Sequence, residues 1–107
     1  MNKIRLFLLM LPAALLLASC KEDHSVRFRN SFSQGLTNVS VGPAYFATVK
    51  AGQTTEYKAI ETGNFEIKGK TDNGQVLSGS GSISGKGKHK WTVILSAAGT
   101  VSMSEDK

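Results

Sequence analysis

The chain has 107 residues, with thirteen lysines and arginines, eight aspartates and glutamates, and a single cysteine. This length allows one small domain, and a lone cysteine excludes a disulfide within the chain. Removing residues 1–19 takes away Lys3 and Arg5 but no acidic residue, so the net charge falls from +5 to +3. Because nucleic-acid binding usually needs a dense basic patch, we expect no nucleic-acid partner.

The first nineteen residues have the pattern of a secretory signal. Residues 1–5 carry two positive charges, and residues 6–18 form an uninterrupted apolar run. As a helix this run would extend roughly 20 Å, which is short of the roughly 30 Å hydrocarbon core of a bilayer. A charged start, a short apolar middle and small residues at the end predict a segment that is removed after export.

The sequence Leu17-Ala18-Ser19-Cys20 resembles the lipobox of bacterial lipoproteins. The resemblance implies that Leu17, Ala18 and Ser19 are recognised by the signal peptidase and that the chain is cleaved before Cys20. It also implies a diacylglycerol on the Cys20 sulfur and an acyl chain on the new amino group, with no other cofactor. Two or three acyl chains hold a protein firmly at a membrane. An ordinary cleaved signal with a coincidental cysteine and an uncleaved anchor helix are the alternatives.

Lys21, Glu22 and Asp23 follow the cysteine directly. A lysine before two acidic residues resembles the surface-export signal of lipoproteins in Bacteroidetes-type bacteria, although a solvated charged tether has the same composition. We therefore expect a lipid-anchored protein of the bacterial outer membrane, either surface-exposed or facing the periplasm. The predicted division is a signal peptide at 1–19, a lipidated tether at 20–24 and a folded domain at 25–107.

The rest of the chain consists of short runs rich in β-branched and aromatic residues, separated by glycine, asparagine and aspartate. Such runs predict strands. The predicted strands are Ser25–Asn30, Leu36–Val41, Tyr45–Val49, Thr54–Ile60, Phe65–Gly69, Gln75–Ser84, Lys90–Ser96 and Thr100–Ser104. Seven or eight short strands predict an all-β fold, namely a small antiparallel β-sandwich of the immunoglobulin-like or transthyretin-like kind.

Two stretches give more local expectations. Asn73-Gly74 predicts a hairpin with a type I′ turn, since both residues tolerate positive φ angles. The segment Gly79-Ser80-Gly81-Ser82 is a poor strand former, so we interpret it as an edge strand or a bulge. Trp91 shares its predicted face with Val93 and Leu95 and is therefore expected to belong to the core.

Three short motifs also resemble an envelope β-sandwich family classed as a domain of unknown function. They are V-R-F-x-N at Val26–Asn30, V-S-V-G at Val39–Gly42 and T-G-N-F-E-I at Thr62–Ile67. The resemblance covers most of residues 25–96. It implies a transthyretin-like or immunoglobulin-like sandwich and no catalytic residues.

The residue types needed for catalysis are sparse. The two histidines, His24 and His89, are predicted in the tether and at a strand start, and neither has the spacing of a metal site, so we expect no metal. The serine-rich segment 79–85 lacks the G-x-S-x-G pattern of serine hydrolases. The sequence thus predicts a non-enzymatic protein, and an envelope hydrolase would have to use His89 as its base.

Lys86, Lys88 and Lys90, here called the lysine cluster, lie beside His89 and Trp91. The segment is predicted to be a basic hairpin tip, which could bind an anionic glycan or anionic lipid headgroups. A merely soluble hairpin has the same composition. The main hypothesis is therefore a membrane-anchored structural or binding module, and the alternatives are an anionic-ligand binder or a subunit of an envelope assembly.

Overall fold

The computed structural model of the protein describes residues 23–106, and eight β-strands account for most of this range. Alternation of apolar and polar residues explains why these segments form strands, because each then has one face for the core and one for solvent. The strands are β1 (Asp23–Asn30), β2 (Leu36–Val41), β3 (Ala44–Val49), β4 (Lys58–Ile60), β5 (Gly63–Thr71), β6 (Val76–Ile83), β7 (Lys88–Leu95) and β8 (Val101–Glu105).

The strands form two four-stranded sheets that pack face to face, so the predicted small β-sandwich is confirmed. Sheet A has the order β4-β1-β7-β8 and sheet B has the order β3-β2-β5-β6. The prediction that all strands are antiparallel is wrong for one pair, since β1 and β7 run parallel from Asp23↔Lys88 to Asn30↔Leu95. A parallel pair needs a long connection, and here the chain passes through the five intervening strands before it returns beside β1.

The core lies between the sheets and consists of thirteen buried apolar side chains contributed by seven of the eight strands. Val26 and Phe28 of β1 and Val93 and Leu95 of β7 are at most 1% exposed, as their alternation predicts. Trp91 is half-buried and packs against this cluster. Burial of large apolar side chains at about 1.5–3 kcal/mol each is the main force that holds the two sheets together.

Two predicted boundaries need correction. Strand β1 begins at Asp23, so Asp23 and His24 belong to the folded domain and not to a tether reaching residue 24. This earlier start was not predicted because His24 is polar. The His24 side chain nevertheless continues the inward series of Val26 and Phe28 and is only 2% exposed. The predicted strand Thr54–Ile60 is reduced to Lys58–Ile60, with one isolated bridge between Thr54 and Arg29.

The hairpin between β5 and β6 exists, but its turn is not of type I′. Thr71 and Gln75 close a three-residue loop through a Thr71 N–H bond to the Gln75 carbonyl of 2.8 Å. Only Gly74 in this loop has a positive φ, of 90°. One left-handed glycine after two ordinary residues is the three-residue hairpin with a bulge, in which Asn73 needs no unusual conformation.

The glycine-rich strand β6 is an edge strand of sheet B, as predicted. Its glycines face inward, where the side chains of β8 come very close. A Cβ atom on Gly79 would lie 2.9 Å from Val101 Cγ1, and one on Gly81 would lie 2.5 Å from Met103 Cε. Glycine is therefore required at both positions for the two sheet edges to approach so closely. The poor strand propensity of β6 is a consequence of this requirement.

Candidate functional site

The predicted lipidation motif precedes the described part of the chain. Residues outside this range are Cys20, the three positions before it (Leu17, Ala18 and Ser19), and Lys21 and Glu22 of the predicted export signal. Asp23 is the first residue of β1.

The lysine cluster does not form a hairpin tip, and this prediction is corrected. Strand β6 lies in sheet B and β7 in sheet A, so Lys86 belongs to a connection that crosses between the sheets. The Asp23 N–H donates to the carbonyl of Gly87 in this connection at 3.0 Å. The crossing therefore lies at the end of the sandwich where β1 begins, here called the Asp23 end.

Lys88 and Lys90 lie on the outer face of sheet A together with two arginines of β1. The parallel register pairs Asp23 with Lys88 and Ser25 with Lys90, and Arg27 and Arg29 follow on the same face. Both lysines are exposed and both arginines are half-buried. The lysine cluster and the two arginines thus place five cationic side chains along one face and one end of the sandwich.

A hydrogen-bonded network around Tyr57 holds part of this face in place. The Arg27 guanidinium lies 4.8 Å and the Lys90 ammonium 5.0 Å from the centre of the Tyr57 ring. The Tyr57 hydroxyl donates to Asp106, which also accepts a bond from Thr92 Oγ1 at 2.8 Å. A ring with cations over it is an energetically favourable arrangement that orders long side chains.

At neutral pH the Tyr57 hydroxyl of this network is protonated and the Asp106 carboxyl is ionised. The hydrogen bond to Asp106, with desolvation, raises the pKa of Tyr57, so its hydroxyl stays protonated. Partial burial opposes ionisation of Asp106, but the bonds from Tyr57 and Thr92 and the nearby Arg27 outweigh it and lower its pKa. The network therefore contains an ionised carboxylate 3.8 Å from Arg27, whereas Lys88 and Lys90 are exposed on the same face.

His24 is buried at the Asp23 end and has one partner for each ring nitrogen. Its Nε2 lies 3.0 Å from the carbonyl oxygen of Gly85, which can only accept a hydrogen bond. Its Nδ1 lies 3.2 Å from the indole N–H of Trp91, which can only donate. Both contacts are satisfied at once only by the neutral ring with its proton on Nε2.

His89 lies beside His24 but has the opposite requirement. Its Nδ1 contacts Glu105 Oε2, and its Nε2 lies 2.6 Å from the carbonyl oxygen of Lys86. Both partners accept hydrogen bonds, so a doubly protonated ring satisfies them best. The hydrogen bond to Glu105, followed by that to Lys86, raises the pKa of His89.

The two imidazoles are stacked with their centres 5.2 Å apart and their planes at 14°. Sequence reasoning missed this contact because it assigned His24 to the tether. The sequence did contain a signal for it, because His24 and His89 each lie at the next inward-facing position before the alternating apolar residues of their strands. The parallel register then places them directly opposite one another.

The chemistry that these groups support is limited. Every ring nitrogen of His24 and His89 has a hydrogen-bond partner within the protein. A groove of about 420 Å³ borders Tyr57, Lys88, Lys90 and both carboxylates, Glu105 and Asp106, which gives it mixed charge. Within residues 23–106, no three metal-ligating side chains cluster and no helix is long and apolar enough to cross a membrane.

Comparison with known proteins gives support for the fold. An NMR structure of a protein from Eubacterium rectale is similar to this chain with a TM-score of 0.54 and 16% sequence identity. The similarity covers 80% of this chain and 90% of that one. No protein-family model matches the sequence, and no curated protein matches it. At this level of identity the likeness shows a common fold and carries no function with it.

Proposed function

We propose that this protein is a lipid-anchored module of the bacterial outer membrane, a non-catalytic β-sandwich held there by acyl chains on Cys20. The observation that carries the proposal is the motif Leu17-Ala18-Ser19-Cys20 after a charged start and a short apolar run. Lipid on the cysteine would also account for a lone cysteine in an exported chain. The anchor faces either the periplasm or, if Lys21-Glu22-Asp23 acts as an export signal, the exterior.

The early start of β1 supports a close attachment. Because the first strand begins at Asp23, only Lys21 and Glu22 separate it from Cys20. A linker this short holds the Asp23 end within about 11 Å of the lipidated residue. The sandwich would then rest against the bilayer instead of extending away from it on a flexible stalk.

Intact-mass spectrometry of the protein purified from its native envelope tests the anchor. The expected species begins at Cys20 and carries the mass of a diacylglycerol and one further acyl chain. A species that begins upstream of Cys20, or one with an unmodified thiol, would contradict the proposal.

A second candidate function is favoured by the position of the lysine cluster at the Asp23 end. Lys86 and Lys88 flank Gly87, whose carbonyl accepts the Asp23 N–H at 3.0 Å, so the anchor would bring both lysines near lipid headgroups. Each basic residue near an anionic surface contributes about 1 kcal/mol. The module would then bind the phosphates of the membrane that anchors it, or an anionic glycan at the same surface.

Binding to anionic lipid can be tested without the anchor by using residues 21–107, which contain all eight strands. This chain should float with vesicles of anionic phospholipid, and changing Lys86, Lys88 and Lys90 to Gln should reduce the bound fraction at least about tenfold. The control is Lys50→Gln with Lys70→Gln, which removes two exposed charges away from the Asp23 end and is compared with the test variant per charge removed. Equal loss in both variants would indicate nonspecific attraction, and equal retention in all would eliminate this function.

A further inference from the structure

The four edges of the two sheets are not equally protected against pairing with another strand. Strand β4 has only three residues and includes Lys58, and β8 has five and ends at Glu105. Strand β3 pairs irregularly with β2, and Ala47 in it has a φ of 62°. Short length, charge and bulges are the usual means by which proteins prevent edge-to-edge association.

Strand β6 has none of these features. Its eight residues, Val76–Ile83, contain no charge and no proline, and they pair with β5 in one continuous register. Val76 is 71% exposed although it is apolar. Among residues 23–106, no backbone group outside sheet B bonds to this strand. Long, uncharged edges without a bulge are templates for an added strand.

The hydrogen-bond pattern identifies the free backbone groups. Thr71 donates to the carbonyl of Gln75, and bonded and non-bonded pairs alternate along an antiparallel ladder. Because the pairs alternate, every second residue of β6 has its N–H and C=O directed away from β5. Ser80 is one of these residues, since the Glu66 carbonyl opposite it does not bond to β6 but accepts the Gly42 N–H at 2.8 Å. The free residues are Val76, Ser78, Ser80 and Ser82.

From this edge we infer that β6 pairs antiparallel with β6 of a second copy of the chain. A two-fold axis at Gly79 places Ser78 opposite Ser80 and Val76 opposite Ser82, so the free groups of both copies meet in register. Small hydroxyl side chains permit close approach and can bond across the strands. No charge opposes the pairing, because neither strand carries one. The product is a continuous eight-stranded sheet.

The symmetry of this pairing is compatible with a membrane. A two-fold axis between antiparallel strands is normal to the sheet, so both copies of sheet A lie on the same side of it. Their cationic outer faces would then meet one bilayer, with the two Asp23 ends pointing in opposite directions along its surface. This step alone rests on the proposed function, whereas the pairing of the β6 edges does not.

The full chain purified in detergent tests the pairing by sedimentation and by amide hydrogen exchange. The protein mass should double as concentration rises. Exchange at Val76, Ser78, Ser80 and Ser82 should slow with it, whereas the intervening amides, which bond to β5, are protected at every concentration. Because Ser80 is exposed, Ser80→Lys should leave the fold intact and weaken association at least about tenfold, since the two new lysines are then diagonal neighbours on one face of the paired strands and repel each other.

Ser102→Lys is the matched control, because it adds the same charge to an exposed position of another edge strand, β8. It should associate as the unchanged protein does. A monomer at all concentrations, or a dimer that Ser80→Lys leaves unchanged, would overturn the inference. Protection of the four amides without a doubled mass would also overturn it, since the edge would then be covered by another partner strand. None of these outcomes depends on whether Cys20 carries lipid.

Discussion

At the scale of single residues, the most informative feature is a pair of stacked histidines with opposite hydrogen-bonding requirements. His24 is satisfied as a neutral ring between Gly85 and Trp91, whereas His89 is satisfied as a cation between Glu105 and Lys86. The two stacked rings are thus held by different partners, and those partners set their different hydrogen-bonding requirements.

His89 should make folding stability depend on pH. Its folded pKa is raised above the ordinary value of 6.5, so its contribution is fully present below the unfolded pKa and is lost as pH rises through the folded pKa. An NMR titration of His89 should give a midpoint above 6.5, and Glu105→Gln should lower that midpoint. Glu66→Gln is the control, since Glu66 pairs with Lys68 on an exposed strand face. An unchanged midpoint in Glu105→Gln would show that the bond to Glu105 is not the cause.

At the scale of elements, β6 shows how a poor strand sequence can be the correct one. Glycine weakens a strand because it lacks a side chain to pack and loses more backbone freedom on folding. Here the inward positions of β6 meet Val101 and Met103 of β8 at distances that leave no room for a Cβ atom. The tertiary contact between two sheet edges therefore overrides local propensity.

Gly79→Ala should lower the free energy of unfolding by about 1–3 kcal/mol, because the new methyl group would meet the branched, rigid side chain of Val101. Gly81→Ala should cost less, since the atom that it would meet is the end of the flexible Met103 side chain. Urea unfolding followed by circular dichroism measures both changes.

Gly69→Ala on the neighbouring strand is the control, because its methyl group would make ordinary contacts of 3.5 Å with Val39 and 3.6 Å with Leu77. It should be neutral or slightly stabilising. Val101→Ala should also recover part of the stability lost in Gly79→Ala. If Gly79→Ala and Gly69→Ala behaved alike, the explanation of the β6 glycines would be wrong.

At the scale of the whole molecule, one buried side chain links the two sheets at the end opposite Asp23. Asn30 ends β1 in sheet A, and its Nδ2 donates to carbonyl oxygens of Gln34 at 2.8 Å, Val49 at 3.2 Å and Lys50 at 3.2 Å. Its Oδ1 accepts the N–H of Phe32 at 2.9 Å. The side chain thus joins the end of β1 to the end of β3 in sheet B.

Asn30→Asp should destabilise the entire sandwich, because it replaces the donating amide with a carboxylate oxygen that faces the same carbonyl oxygens. A buried carboxylate with a donor, the Phe32 N–H, for only one of its two oxygens costs roughly 3 kcal/mol or more of unfolding free energy. Denaturation followed by Trp91 fluorescence and by circular dichroism should show one transition at a lower urea concentration. Asn64→Asp makes the same change at an exposed position and should have little effect. Similar midpoints for the two variants would show that Asn30 does not link the sheets.

The sequence alone was sufficient for most of the strands and for the faces of their apolar residues, although the strand predicted at Thr54–Ile60 is shorter in the structure. Alternation at Val26 and Phe28, or at Val93 and Leu95, identifies the inward side because a strand turns its side chains to opposite faces. Glycine, asparagine and aspartate mark where strands end, since they tolerate turn conformations. These signals depend only on neighbouring residues, so they can be interpreted without a structure. The predicted lipidation motif at Cys20 also depends only on neighbouring residues, and lipidation remains a prediction.

Only the tertiary structure decided which strands are neighbours. The parallel pairing of β1 with β7, the bond from Asp23 to Gly87 in the connection between the sheets and the stacking of His24 on His89 all join residues far apart in the chain. No local pattern encodes such contacts, because they depend on how the whole core packs. The alternation of β1 gives His24 and Asn30 inward positions, but only their hydrogen-bond partners in the folded protein make the burial of these polar side chains possible.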